Sequence, residues 1–307
     1  MFGEIDDQQN FNAIEEKLKT IHAATTDYNS LEANKFLQNS KIPHNQIIKL
    51  ENGKEVKRGM QVVKKFYQPI AKPVAQKEIV DLTSTVENSK EKHVSILTEL
   101  KDCPNIITFY GTMLLNNKLY VISEWAEEGD LNTYLKEHPG LSWEFKLKIS
   151  CEIASGLAFC HFCDILHHDI RSHNILLTEN LTAKISNFRA SRKEKDHTTP
   201  VRDFMLISKW LSPEKLKDAK TPYSKQCDIY SFSILLWELA FQKMPFDNIK
   251  NVSDLIEIVL EKNERPPLTG NIPPEYEEIM KLGWSPYPIK RPTADMIFTA
   301  ATKSSNR

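Results

Sequence analysis

The chain has 307 residues, of which 40% are hydrophobic and 26% charged, enough to bury one large core or two modest ones. Its 40 basic side chains nearly cancel its 41 acidic ones. The sequence has no run of basic residues that would predict a nucleic-acid partner. The longest apolar stretch, FSILLWELAF at 232–241, is about half the length of a bilayer span, which excludes a membrane span by hydropathy. The acidic first residues and five unevenly spaced cysteines suit a soluble protein of the reducing cytoplasm.

The first predicted element is a helix from about Asn10 to Gln38. Its apolar residues recur at helical intervals and form one stripe: Phe11, Ile14, Leu18, Ile21 and Tyr28. The stripe needs a surface to cover it. It lies either against the folded domain, which the small number of heptads favours, or against a partner helix, which would make the protein self-associate.

Short extended segments follow and predict an antiparallel sheet. They are QIIKL at 46–50, MQVVKKFY at 60–67 and IAKPVAQ at 70–76. A mostly polar helix is predicted over about 84–101, and the alternating KLYVISEW at 118–125 predicts another strand.

The rest of the chain has mainly helical spacing. Helices are predicted at 141–163, 224–241, 252–263 and 274–284, with Ser142 and Ser253 as N-caps. The fold class is therefore α+β. The predicted domains are an N-terminal helical segment and linker at 1–45, a small β-rich lobe at 46–126 and a larger helical lobe at 127–307.

The pair Cys160 and Cys163 in CHFC could share a metal ion or form a redox pair. No second pair of cysteines accompanies it, and the flanking residues have the small, apolar periodicity of a buried helix. We therefore favour a structural role for both thiols.

The segment HHDIRSHNILL at 167–177 carries the clearest chemical pattern. Asp169 can orient a hydroxyl proton, and Asn174, five residues later, can ligate magnesium, which is the loop arrangement of phosphoryl transfer. Here the sequence resembles the eukaryotic protein kinases: His167, Asp169 and Asn174 match the family motif H-R-D-x-x-x-x-N. NFR at 187–189 stands where the family has D-F-G.

Later segments extend the resemblance in family order over residues 46–300: SPE at 212–214, CDIYSFSILLWEL at 227–239, KMPF at 243–246 and KRPT at 290–293. The catalytic-loop segment is most similar to the tyrosine-kinase-like branch, whose Ser/Thr enzymes have a basic residue where Arg171 stands. The resemblance implies a two-lobed kinase fold with a small antiparallel sheet and a larger helical lobe.

The resemblance also implies roles for individual residues. Asp169, Arg171 and Asn174 would be catalytic, with Asn174 as a metal ligand. Five residues would be structural: Glu214 and Arg291 as an ion pair, Asp228 as an acceptor for catalytic-loop amides, His167, and Phe188 packed between the lobes.

A nucleotide pocket is implied between the lobes. The backbone of Glu124 to Ala126 would pair with adenine, Ser123 would be a small gatekeeper and Leu176 would close the pocket from below. The nucleotide lysine would be Lys72 or Lys64. We prefer Lys72 because it leaves room for two preceding strands, and an exposed strand lysine is the alternative for both.

Several family features are missing. Only Gly53 and Gly59 remain in the region of the glycine-rich loop, and the helix glutamate expected to pair with the lysine is replaced by His93, while the nearby Glu91 faces elsewhere. His168 replaces the arginine that binds a phosphorylated loop, which removes the acceptor for Thr198, Thr199 or Ser208.

The D-F-G position is the most altered, since Asn187 offers a neutral amide to a metal and Arg189 replaces glycine. Arg189 either brings a cation to the phosphates in place of the metal or points to solvent. We expect a pseudokinase that acts as a signalling switch or scaffold for a protein partner, with ATP as ligand and magnesium in doubt. The alternative is an active Ser/Thr kinase with an unorthodox site.

Overall fold

The computed structural model describes residues 40–50, 56–58, 61–79, 87–194 and 207–305. The predicted helix at 10–38, the loop residues Gly53 and Gly59, and Thr198 and Thr199 lie outside this part of the chain.

The small lobe is built on one antiparallel sheet of six strands. Strand order is β1-β3-β4-β6-β5, and β2 also pairs with β3. The strands are β1 Ile47–Ile48, β2 Lys57–Arg58, β3 Val62–Tyr67, β4 Lys72–Glu78, β5 Phe109–Leu115 and β6 Lys118–Glu124.

The sheet has a small hydrophobic core of its own, formed by apolar side chains on one of its faces. Val74, Met113 and Ile122 are fully buried there, because alternate residues of a strand point to the same face. Ile42 packs on them from outside the sheet, and its N–H donates to the Thr112 carbonyl at 2.7 Å. Residues 40–42 are thus hydrogen-bonded to strand β5.

Helix α1 Glu87–Glu99 lies between β4 and β5 in the chain and within the predicted span of 84–101. Its apolar residues Val94 and Leu97 belong to the core of the large lobe rather than to the core of the sheet. His93 and Leu97 of the same helix line the space between the lobes.

The large lobe is mainly helical. Its helices are α2 Leu131–Glu137, α3 Trp143–Phe162, α4 Pro213–Lys217, α5 Lys225–Phe241, α6 Val252–Ile256, α7 Pro274–Gly283 and α8 Ala294–Ser305. Its short strands are β7 Gly129–Asp130, β8 Ile165–Leu166, β9 Ile175–Leu177, β10 Ala183–Ile185 and β11 Arg192–Lys193. Helix α5 is buried on nearly all sides, as expected of a helix that is apolar all round, and it packs against both α3 and α7.

One of the two predicted N-caps is confirmed. The Ser142 hydroxyl accepts a hydrogen bond from Phe145 N–H at 3.2 Å and begins α3. The prediction of Ser253 is wrong, because Asn251 Oδ1 accepts from Asp254 N–H at 2.8 Å and α6 already begins at Val252.

The buried-helix interpretation of CHFC is also confirmed. Cys160 lies within α3 and Cys163 at its end; both side chains are buried, and burial raises the pKa of the Cys163 thiol to about 12. Over the described residues, no set of three His, Cys, Asp or Glu side chains is arranged to hold a metal ion.

The predicted α+β architecture of a small sheet lobe followed by a larger helical lobe is confirmed. None of the helices seen in the described ranges is long and apolar enough to cross a membrane.

Candidate functional site

A cavity of about 370 Å³ lies between the sheet and the helical lobe. Strands of the small lobe form its roof, and the segment joining the lobes forms its back edge. Its lining includes Arg58, Ala75, Lys77, His93, Ser123, Glu124, Trp125, Ala126, Asn174, Leu176, Asn187, Phe188 and Arg189.

The back edge of the cavity brings the predicted adenine-side residues together. Ser123 and Glu124 end strand β6, Ala126 follows them, and Leu176 of β9 lies on the opposite wall. Ala75 pairs with Ser123 across the sheet, so two small side chains face the same end of the cavity. The Glu124 carboxylate is held by Lys184 Nζ at 2.8 Å and by the Thr108 hydroxyl at 2.9 Å.

The structure does not place either predicted lysine in the cavity. Lys72 is exposed at the first position of β4, and Lys64 of β3 forms an ion pair with Glu127 at 2.9 Å. Lys77, five residues after Lys72 on the same central strand, lines the cavity instead and donates to Asn187 Oδ1 at 3.0 Å. The predictions of Lys72 and Lys64 as cleft lysines are therefore wrong, because the register of β4 points Lys77 inward.

His93 faces Lys77 from helix α1, at the position where the sequence interval to PNII placed it. Burial, together with the charges of Lys77, Arg192 and Arg189, lowers the pKa of His93 to about 4, so its imidazole is neutral near pH 7. Burial and then the nearby Arg189 charge lower the pKa of Lys77, whereas Asp169 raises it. In the described part of the chain, Lys77 forms no ion pair with a carboxylate.

A chain of hydrogen bonds occupies the corner between Lys77 and the catalytic loop. Lys77 Nζ donates to Asn187 Oδ1 at 3.0 Å, Asn187 Nδ2 donates to Asn174 Oδ1 at 3.0 Å, and Asn174 Nδ2 donates to the Asp169 carbonyl at 2.7 Å. Asn187 has φ 65°, a left-handed conformation that asparagine tolerates better than most side chains.

Asp169 itself is engaged by its neighbour. Its Oδ1 lies 2.8 Å from Arg171 Nε, and the Arg171 guanidinium lies over the Trp210 ring at 5.7 Å. The Asp169 N–H donates to His167 Nδ1 at 3.2 Å, and His167 Nε2–H donates to the Ser186 carbonyl at 2.9 Å. The structure thus brings His167, Asp169 and Asn174 together on one loop, and the Asp169 carboxylate forms an ion pair with Arg171.

A buried acidic group, Asp228, holds the loop from below. Asp228 accepts hydrogen bonds from the backbone N–H groups of His167 and His168 at 2.8 and 2.9 Å and from His161 Nε2 at 3.1 Å. Burial alone would raise the pKa of Asp228, but His161 and the neighbouring imidazoles hold it below its ordinary value.

Another acidic group, the partly buried Glu214, forms a bidentate ion pair with Arg291, at 2.7 and 2.8 Å. The Arg291 side chain is fully buried. Burial acts to raise the pKa of Glu214, yet the hydrogen bonds and charge of Arg291 leave it lowered. Phe188 is 1% exposed, and its ring meets that of His167 edge-on with centroids 4.8 Å apart.

Comparison with known proteins agrees with this geometry. The sequence matches the family of protein tyrosine and serine/threonine kinases over residues 49–300. This chain belongs to that family.

Several relatives share about a third of the aligned residues with this kinase-family chain. It is 32% identical over 220 residues to the serine/threonine/tyrosine-protein kinase HT1 of Arabidopsis thaliana, covering 71% of this chain and 55% of the relative. It is 33% identical over 232 residues to the mitogen-activated protein kinase kinase kinase 7 of Drosophila melanogaster, covering 74% and 33%. A probable LIM domain-containing serine/threonine-protein kinase of Dictyostelium discoideum is 34% identical over 219 residues, covering 70% and 33%. The matched region thus spans between a third and about half of these relatives' lengths.

The kinase-family loop that would receive a phosphorylated residue is altered. His168 stacks on Tyr223 with ring centroids 3.8 Å apart, and burial lowers the pKa of His168 to about 4. A neutral imidazole offers little attraction to a phosphate dianion. Ser208, one of the three residues considered as phosphorylation sites, is 3% exposed.

Arg58 of strand β2 is a cavity residue that sequence inspection missed. Its Nη1 donates to the Ala126 carbonyl and its Nη2 to the Glu127 carbonyl at 2.5 Å. The guanidinium lies 4.0 Å from the centre of the Trp125 ring. Arg58 thus connects strand β2 to the segment that joins the lobes of this kinase-family cleft. No motif in the sequence predicts this contact.

Glu238 of helix α5 was also missed. Its carboxylate accepts from the Ser172 hydroxyl and from Trp210 Nε1, both at 2.7 Å, and so connects the catalytic loop to the segment before α4. Burial raises the pKa of Glu238 to about 7, against the hydrogen bonds of Ser172 and Trp210 and the charge of Arg171.

Proposed function

We propose that this kinase-family domain is a pseudokinase: a nucleotide-binding module that acts as a signalling switch or scaffold, with weak or absent phosphotransfer. The observation that carries the proposal is the hydrogen-bond chain from Lys77 through Asn187 to Asn174. A neutral amide in that chain stands where the family's aspartate would supply an anionic oxygen for magnesium beside the phosphates.

The loss of one such electrostatic group typically lowers a rate by about a hundredfold to a thousandfold, roughly 3–4 kcal/mol. Two further changes act at the same corner. The neutral His93 gives Lys77 no charge partner, and Arg189 adds a second cation beside it. These changes remove phosphate positioning and metal charge together, so their effects on rate reinforce one another.

Nucleotide binding is supported by the opposite end of the cleft. Ser123, Ala126 and Leu176 line the cavity where the family holds adenine, and Ala75 keeps that end narrow but open. The kinase fold implies ATP as the ligand.

The alternative function is an active Ser/Thr protein kinase that transfers the γ-phosphate of ATP with an unorthodox site. Its support is the retained pair Asp169 and Asn174, which the structure keeps on one loop, and the kinase names of the relatives. In this alternative Asp169 would leave Arg171 and orient the substrate hydroxyl.

A phosphotransfer assay separates the two functions. The purified chain is incubated with radiolabelled ATP and a generic protein substrate, with magnesium or manganese, beside the Asp169→Ala variant and the exposed-lysine control Lys72→Ala. We expect all three proteins to give the same background signal. A signal that Lys72→Ala retains and Asp169→Ala loses would establish the active kinase instead.

As a switch or scaffold, the protein would act in the cytoplasm on a protein partner, without contact to nucleic acid or a membrane. Self-association through the predicted helix at 10–38 is one part of this proposal, since the apolar stripe in its sequence needs a surface. Sedimentation of residues 1–307 against residues 40–307 tests it. A concentration-dependent mass only for the longer chain would establish self-association, and equal monomer masses would assign the stripe to packing against the folded domain.

A further inference from the structure

The small-lobe sheet has a second face, opposite the cavity. Tyr67 of β3 pairs with Ile47 on β1 and with Lys72 on β4, and directly paired residues share a face. Lys72 and Lys77 are five positions apart on β4, so they lie on opposite faces, and Lys77 lines the cavity. We call the face that carries Tyr67 the outer face. Tyr67 and Ile47 are partly exposed there, and Lys72 is exposed.

An aromatic pair lies on the outer face. Tyr110 of β5 meets Tyr67 with ring centroids 6.2 Å apart. Both rings pack on the small core of Val74, Met113 and Ile122, and both remain partly exposed. Further burial of these rings is favourable, because the free energy of transfer grows with the apolar area removed from water. The pair therefore suits another apolar side chain.

The described part of the chain begins beside this pair. The Ser40 carbonyl accepts from Thr112 N–H at 2.7 Å, and Lys41 forms a parallel bridge to the same residue of β5. Ser40 passes so close to Gly111 that its carbonyl oxygen leaves no room there for a Cβ atom. Because Gly111 directly follows Tyr110, the chain before residue 40 starts next to the aromatic pair.

The sequence just before this point suits the outer face. In the predicted helix at 10–38, Phe36 comes 18 residues, or five full turns, after Leu18, so it continues the apolar stripe. Glu32 and Tyr28 precede Phe36 at steps of four residues and lie on the same side of that helix. This end of the stripe thus combines two aromatic side chains with one acid.

The spacing of these side chains matches the outer face. A step of four residues advances about 6 Å along a helix, and the rings of Tyr110 and Tyr67 are 6.2 Å apart. With Phe36 against Tyr110, the Glu32 carboxylate comes next to Tyr67. Lys72 is paired with Tyr67 and exposed, so the acid of the stripe meets a cation on the same face.

We infer that the outer face of the small-lobe sheet is the docking surface for residues 28–38 of the same chain. Phe36 packs on the aromatic pair, and Glu32 forms an ion pair with Lys72. The inference goes beyond the proposed function, because it concerns the face opposite the nucleotide cleft.

The dimensions of the two elements leave the rest of the stripe for self-association. The predicted helix at 10–38 would be about 43 Å long, whereas the five neighbouring strands of the sheet span about 19 Å. The sheet therefore covers only the last part of the helix. The stripe from Phe11 to Ile21 remains for the second copy that self-association requires.

Photo-cross-linking of the full chain tests the docking. The photoreactive residue p-benzoylphenylalanine replaces Phe36, and heavy-nitrogen-labelled chains are mixed equally with unlabelled ones before irradiation. We expect attachment to peptides that contain Tyr67 or Tyr110 of the same molecule. The same probe in place of Asn34, on the opposite side of the predicted helix, should attach there at least about fivefold less. Thermal unfolding of each labelled protein shows that it is folded.

Exchange of the two charges provides the complementary test, with the probe kept at position 36. Glu32→Lys and Lys72→Glu each bring like charges together, so each should lower the yield of attachment about two- to fivefold. The double variant Glu32→Lys, Lys72→Glu should restore the yield, because the charges are again opposite. Glu16→Lys changes an acid off the stripe and should leave the yield unchanged.

Three results would overturn the inference. They are attachment to any surface other than the outer face, attachment only between labelled and unlabelled chains, and equal attachment from positions 36 and 34. A double variant that stays as low as the single ones would overturn the contact between Glu32 and Lys72.

Discussion

Two polar clusters in this kinase-family chain lie on either side of the catalytic loop and differ in kind. Below the loop, Asp228 and the Glu214–Arg291 pair place ionised groups against matched donors in the buried interior. Above it, Lys77, Asn187 and Asn174 form a chain of mostly neutral groups at the wall of an open cavity. Asp228 of the lower cluster holds the loop in place, the Glu214–Arg291 pair joins α4 to the segment before α8, and the upper cluster is where a kinase would perform chemistry. The fold therefore depends on the first and tolerates change in the second.

The largest expected effect comes from breaking the lower cluster. Arg291→Ala leaves Glu214 partly buried without its counter-charge, which typically costs about 3–5 kcal/mol of the free energy of unfolding. Urea denaturation followed by tryptophan fluorescence measures the loss. Lys290→Ala, the exposed neighbouring cation, should stay within about 0.5 kcal/mol. Equal stability of the two variants would show that the ion pair does not hold the fold.

Glu238, which connects the catalytic loop to the segment before α4, should make stability depend on pH. Its pKa is about 7 in the folded protein and near the ordinary 4.5 in the unfolded chain, so the folded state binds the proton more tightly between those values. The free energy of unfolding should fall, on the order of 1–3 kcal/mol, as the pH rises from about 4.5 to about 7. Denaturation at several pH values should show this slope, and Glu238→Gln should lose it. A slope unchanged in that variant would assign the effect to another group.

Arg58 tests the adenine end of the cavity. Its guanidinium donates to the Ala126 and Glu127 carbonyls and lines the cavity at the adenine end. We expect Arg58→Ala to bind ATP about three- to tenfold more tightly, since a nucleotide no longer competes with this contact. Lys64→Ala removes a cation that also contacts Glu127 but lies outside the cavity, so it should leave the affinity for ATP unchanged. Weaker binding by Arg58→Ala would show that the guanidinium supports the nucleotide instead.

The smallest expected effect is on stability at the upper cluster. Asn187→Asp exchanges an amide for a carboxylate that still faces Lys77, so the free energy of unfolding should change by less than about 1 kcal/mol. Urea denaturation of this variant beside Arg291→Ala compares the two clusters directly. A loss as large as that of Arg291→Ala would remove the distinction between them.

The sequence predicted the lower cluster more fully than the upper one, for a physical reason. His167, Asp228, Glu214 and Arg291 act through fixed backbone positions, so motif spacing alone brings them together. The strand lysine was misplaced because strand β4 carries Pro73 and a polar Gln76 where apolar residues are expected. The pattern Val74-Ala75-x-Lys77 was nevertheless present in the sequence.

Other features depend on contacts between distant segments and leave no local pattern. Arg58 reaches carbonyl groups about seventy residues away, and Glu238 joins segments from the catalytic loop and from the region before α4. Capping at α6 was misassigned because Asn251 and Ser253 are both good caps, and only the hydrogen-bond geometry decides between them. The helix at 10–38 stays a prediction.

Under the proposed function, substitutions at the corner around Lys77, Asn187 and Asn174, rather than the rest of the fold, remove phosphotransfer. The most direct measurement is Asp169-dependent transfer of radiolabelled phosphate by the unchanged chain and by the triple variant His93→Glu, Asn187→Asp, Arg189→Gly, in magnesium. We predict none for the unchanged chain and a signal for the triple variant that is lost when Asp169→Ala is added. Equal transfer by the two proteins, whether present or absent in both, would contradict the claim.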